Sequence, residues 1–99
     1  MIDLAKIAGF DWDDGNSRKS TEKHNVIQSE AEQIFFNQPL VVAPDEAHSH
    51  SEHRFFVLGR TDAARLLFLV FTARKHLVRV ISARGMSRSE KEAYKNHEE

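Results

Sequence analysis

The apolar residues change from helical to extended spacing along this chain, and the change falls at Pro39. Before it the spacing is helical. Asp13 and Asp14 are of the type that caps helix N-termini, and the pattern after them predicts a first helix to about His24. Asn25 follows where a left-handed C-cap is wanted, a place Asn takes nearly as readily as Gly. Val26 and Ile27 restart the apolar pattern. Ser29 with Glu32 has the spacing of a capping box, predicting a short second helix through Ala31, Ile34 and Phe35 that Pro39 closes.

After Pro39 the pattern is extended. Residues 40–43 read as a short edge strand, because Pro44 cannot donate to a ladder. Residues 44–52 are polar and loop-like, and 55–59, 66–72 and 78–83 read as three further strands. The links between strands are too short for crossover helices, so the pairing should be antiparallel. Residues 66–71 are all apolar, which predicts a central strand covered on both faces. Ser87 and Glu90 form another possible capping box, opening a last helix to about His97. The expectation is a single α+β domain over 1–99: two N-terminal helices, a four-stranded antiparallel sheet and a C-terminal helix, ααββββα. Two helices cover only one face of such a sheet. The other face needs the last helix, a second copy or a partner.

Composition narrows the class. With 99 residues there is room for one domain. No cysteine is present, which removes disulfides, thiolate metal sites and cysteine nucleophiles and fits a reducing compartment. The first ten residues lack the basic and apolar regions of a signal peptide. The longest apolar run is far short of a bilayer span. A cytoplasmic protein without membrane contact is expected. The net charge of −1 argues against a general nucleic-acid coat. Yet residues 60–88 hold six arginines and one lysine against the single acid Asp62, enough for a local anion site.

Within that basic half, Arg79 stands out. Strict alternation puts it on one face with Ile81 and Ala83, and puts Val78, Val80 and Ser82 on the other. It is either an arginine at the core edge paired with a carboxylate, or a planar fork aimed at phosphate. Arg84 would then point the opposite way, and the two converge only if the strand ends before Arg84. Lys23 and His24 close the first predicted helix, where cations suit the helix dipole. A His titrating near neutrality beside a Lys is also a candidate general acid or base. His48, His50 and His53 with Asp45 have a metal-like spacing but no anchoring motif, so no metal and no cofactor is expected. Glu52 and Arg54 read as an ion pair. Glu90, Tyr94 and His97 form one helical stripe, first of all a docking face.

The chain resembles the BrnT (DUF497) toxins. The residues that carry the resemblance are Phe10-Asp11-Trp12-Asp13, Lys23-His24-x-Val26, Glu30-Ala31, Phe35 with Pro39, and His48-Ser49 with Glu52-x-Arg54-Phe55 and Gly59. The closing run is the most specific: Leu67-Phe68 to Thr72, Val78 through Arg84, Ser87-Arg88-x-Glu90 and Tyr94. The resemblance implies a RelE-like fold and a ribonuclease toxin that halts translation. It also implies a BrnA-type antitoxin, through which alone the protein would meet DNA. The chemistry implied is metal-independent attack of an RNA 2′-hydroxyl on the adjacent phosphate, which needs a base, an acid and cations for the developing charge. By position, Arg79 and Arg84 would meet the phosphate, Lys23 and His24 would move protons or stabilise charge, and Arg60 and Tyr94 would hold a neighbouring phosphate or stack on a base. One departure stands at Phe71, where the family's pattern has Tyr before the Thr that ends the third strand. Its missing hydroxyl removes a donor or acid, a role His76 in the basic turn could take. The competing reading is a non-catalytic partner-binding module, a degenerate toxin that still recruits a DNA-binding antitoxin.

Overall fold

Three long strands make the frame: β3 (Arg54–Arg60), β4 (Leu66–Arg74) and β5 (Leu77–Gly85). The computed structural model describes residues 8–12, 25–48 and 52–97. Each strand alternates buried and half-buried positions over most of its length, as a sheet with one deeply covered face must. The short β2 (Val41–Pro44) pairs antiparallel with β3 and forms one edge as expected, shifted by one residue so that it includes Pro44. A two-residue strand, β1 (Gly9–Phe10), pairs parallel with β5 at the other edge. The order is β1-β5-β4-β3-β2, with β4 central as its apolar run predicts.

The expected fold class is therefore corrected. The sheet is five-stranded and mixed rather than four-stranded and antiparallel, because Gly9 and Phe10 lie beside Leu77 and Val78. Among the described residues one α-helix precedes the long strands, not two. This is α1 (Gln28–Gln33), continued by a 3₁₀ turn over Ile34–Phe36. The first predicted helix, 13–24, lies outside the described residues. Asn25 does take the left-handed conformation, at φ 53°. The cap of α1 also differs from expectation. The helix starts at Gln28, and the Glu30 carboxylate accepts the Ile27 N–H at 3.2 Å. Glu32, freed from that role, accepts the Trp12 indole N–H at 2.8 Å and ties the β1 end of the chain to α1. Arg65, in the β3–β4 turn, clamps the same helix start by donating to the Asn25 carbonyl and to both Glu30 oxygens.

The covered face holds the core. Val26, Ala31 and Ile34 pack onto Phe55, Val57, Leu67, Leu69, Phe71, Val78, Val80 and Ala83. Their close approach depends on Gly59, where an added Cβ would stand 2.8 Å from Ile34 Cβ. Phe71 is fully buried, stacked on Phe55 at 5.4 Å and edge-on to Phe35 at 5.3 Å.

The last helix, α2 (Arg88–Lys95), begins as its sequence predicts. Ser87 Oγ accepts the Glu90 N–H, and the Glu90 carboxylate accepts the Ser87 N–H at 2.7 Å. It packs on β3, with Tyr94 buried and its hydroxyl donating to the Pro39 carbonyl at 2.6 Å. Helix α2 thus supports the end of the sheet at which β5 stops.

Candidate functional site: the outer face of the sheet

The face opposite the core carries the charge. On β3 it presents Arg54, Phe56, Leu58 and Arg60, and on β4 Leu66, Phe68, Val70 and Thr72, since these pair across the ladder in register. The arrangement on β5 is not the one strict alternation predicts. Val70 faces Ser82, but the next residue, Phe71, faces Val80, so Ile81 is the extra residue of a β-bulge. Beyond the bulge the parity flips. Ala83 joins Val78 and Val80 in the core, while Ser82 joins Arg79 on the outer face. Arg84, opposite Phe68, therefore shares a face with Arg79, opposite Thr72. The strand runs on to Gly85, so their common face comes from the bulge and not from an early strand end.

The two arginines sit at different ends of that face. Phe68 and Thr72 are four residues apart on β4, about 13 Å of strand. Arg84 is held rigidly. Its Nη1 and Nη2 donate to the two Glu90 oxygens at 2.7 and 2.8 Å, and its guanidinium lies 4.1 Å over the Phe68 ring. That pairing holds the Glu90 carboxyl below its ordinary range and raises the Arg84 pKa, with the Ser87 N–H adding to the effect on Glu90. Arg79 is half-buried and lies 3.5 Å from Asp11, which follows β1 directly. The two-residue strand thus has a chemical consequence: its pairing with β5, extended by the Asp11 N–H on the Val78 carbonyl, delivers Asp11 to Arg79.

Around Arg79 the charge is dense. Glu52 accepts two bonds from Arg74 at 2.8 and 2.9 Å, and that bidentate contact lowers its pKa, helped by nearby Arg54 and Arg79. The sequence paired Glu52 with Arg54; its bidentate partner is Arg74, across the hairpin. Thr72 is buried, its hydroxyl donating to the His53 carbonyl at 2.7 Å. The turn joining β4 and β5 places Lys75 and His76 at φ 51° and 67°, the left-handed pair of a tight hairpin.

The other sequence-derived candidates are distributed as follows. Arg60 is exposed at the Arg84 end of the outer face. Tyr94 is buried in the α2 contact. Lys23 and His24 lie outside the described residues, as do His50 and the side chain of His48. Among the described residues, no three His, Asp or Glu side chains gather into a metal cluster. Phe71 points into the core, away from both outer-face arginines, so a hydroxyl there would not reach them from the strand. Sequence reading passed over two residues on this face, Phe56 and Phe68, whose rings lie 5.5 Å apart at 35°. The signal was present in the doublet Phe55-Phe56, since neighbours on a strand cannot both enter one core.

A sheet that buries one face under a helix and spreads arginines and aromatic rings over the other defines an α+β protein with a cationic and aromatic outer sheet surface. Comparison with known families makes the assignment specific. The family described as "Ribonuclease toxin, BrnT, of type II toxin-antitoxin system" matches residues 12–90. This chain belongs to that family of ribonuclease toxins, and membership implies an antitoxin partner. Among solved structures, the chain is similar to the crystal structure of the Brucella abortus ribonuclease toxin BrnT. The TM-score is 0.61 and the identity 19%, over 81% of this chain and 97% of that one, a likeness of fold. No curated protein matches the sequence. Among the described residues no helix is long and apolar enough to cross a membrane.

Proposed function

We propose that this chain is a metal-independent endoribonuclease that halts translation in the cytoplasm and is neutralised by a BrnA-type antitoxin, meeting DNA only through it. The observation that carries this reading is the bulge at Ile81, which brings Arg79 and Arg84 onto one face. In the proposed reaction an RNA 2′-hydroxyl loses its proton and attacks the adjacent phosphorus. The bond to the 5′-oxygen breaks as that oxygen gains a proton, leaving a 2′,3′-cyclic phosphate and a 5′-hydroxyl. Negative charge gathers on the non-bridging oxygens, where a guanidinium fork is the most effective neutral-pH stabiliser a side chain offers. Arg79 takes that position. Arg84, about 13 Å along the face, holds a neighbouring phosphate, with Arg60 beyond it. Lys23 and His24 serve proton transfer or charge stabilisation. Tyr94, its hydroxyl spent on the Pro39 carbonyl, holds α2 in place.

The test is induced expression of the wild-type chain beside Arg79→Ala, following growth and RNA integrity, with purified protein assayed on RNA in chelator. Growth arrest and RNA fragments from the wild type are expected, with cleavage in chelator falling about 10²- to 10³-fold in the variant at equal soluble level. Intact RNA and continued growth from soluble wild-type protein would replace this reading with the non-catalytic partner-binding module.

A further inference from the structure

Beside the two arginines of the outer face, on the neighbouring strands β4 and β3, lies an aromatic pair that the reaction does not use. Phe56 on β3 and Phe68 on β4 are both half-buried, with ring centroids 5.5 Å apart. They are the outer members of strands whose alternate residues, Phe55, Val57, Leu67 and Leu69, fill the core. Helix α2 reaches the end of this face near Arg84 through Glu90. Phe68 already carries the Arg84 guanidinium on its ring, at 4.1 Å. Phe56 stands on the next strand, β3, opposite Val70, on the same face as Arg54 and Arg79.

Rings alone on a sheet face would say little, but these are bracketed by cations at both ends. A duplex keeps its bases stacked on each other and offers none to a ring. A single strand carries phosphates at intervals and bases free to stack, and this face provides both contacts in alternation. The span of about 13 Å along the strand between Arg79 and Arg84 is longer than one nucleotide step, so the two arginines meet different phosphates, and Phe56 is level with Ser82, midway along that span and two strands across. Resting on the reading that this face holds RNA, we infer that Phe56 is a stacking platform for an unpaired base, with Phe68 and its bound Arg84 as the adjoining step. The occupant is single-stranded RNA.

The experiment measures binding of a fluorescent, uncleavable 2′-O-methyl oligoribonucleotide, a single strand of about ten residues, to wild type, Phe56→Leu and Arg79→Ala. Leucine keeps the apolar bulk and removes the π-face, and circular dichroism confirms that the variant is folded. An otherwise identical strand with abasic positions gives the control of equal charge. Phe56→Leu is expected to weaken the intact strand about tenfold, as loss of one base–aromatic stack does, and to leave the abasic strand unchanged. Equal affinity of wild type and Phe56→Leu for the intact strand, while Arg79→Ala binds it weakly, would overturn the platform and leave the ribonuclease reading standing. No binding of either strand by the wild type, together with intact RNA on expression, would overturn both. Unchanged RNA binding with lost capture of the co-expressed antitoxin by Phe56→Leu would make this face a protein interface, which also overturns the inference.

Discussion

The two faces of the sheet are built from the same three strands by opposite rules. On the core face, Phe55, Val57, Leu67, Leu69, Phe71, Val78, Val80 and Ala83 meet α1 with no charge among them, and their contribution is apolar area removed from water. On the outer face, arginines stand around the apolar Phe56, Leu58, Phe68 and Val70, and Arg84 and Arg79 are fixed by the carboxylates of Glu90 from α2 and Asp11 from the chain after β1. The core face tolerates no error in volume, whereas the outer face is tuned by charge that solvent partly screens. Stability should therefore follow substitutions on one face, and RNA chemistry those on the other.

The strongest way to break that contrast is Phe71→Ala. It empties a fully buried site between Phe35 and Phe55 and should cost about 3–5 kcal/mol of stability, read by denaturant unfolding. A loss below about 1 kcal/mol would mean that Phe71 is not the core residue its burial indicates. Next comes Gly59→Ala, whose methyl would meet Ile34 Cβ at 2.8 Å. The helix must shift, at about 1–3 kcal/mol, while a variant that stays folded keeps its RNA affinity. The smallest effect is expected from Glu90→Gln, which keeps the side chain that caps α2 and removes its charge. Because Arg84 holds the Glu90 pKa below its ordinary 4.5, the ion pair stabilises the fold fully above that pH and is lost as pH falls through the lowered value. Tm measured from pH 7 down to pH 3 should drop more steeply for wild type than for Glu90→Gln. Parallel curves would remove Glu90 from the pH response.

Much of this fold is legible in the residues. Pro44 marks the edge strand, the apolar run in β4 marks the centre, Asn25 marks a left-handed turn, and Ser87 with Glu90 marks the start of α2. These signals are local, so the sequence carries them outright. The features that escaped it depend on tertiary partners. β1 is two residues long and held by backbone pairing with β5, so no periodicity announces it. The cap of α1 comes from Glu30, not from the Ser29 and Glu32 whose spacing looked right, because Trp12 takes Glu32. Of the site, the arginines were visible in Arg79-Val80-Ile81-Ser82-Ala83-Arg84, but their common face was not. No Gly or Pro there signals a bulge, and strict alternation separates them.

That bulge means the relation between Arg79 and Arg84 is written in the number of residues between them rather than in their kind. Substituting Ile81 leaves the count intact and the two guanidinia on the same side. Removing Ile81 would erase the bulge, and the regular strand that remains alternates Arg79, Ser82 and Arg84 outward, so both guanidinia keep the outer face. The bulge lets five steps of chain do the work of four, and a strand without it needs one residue fewer between the two arginines.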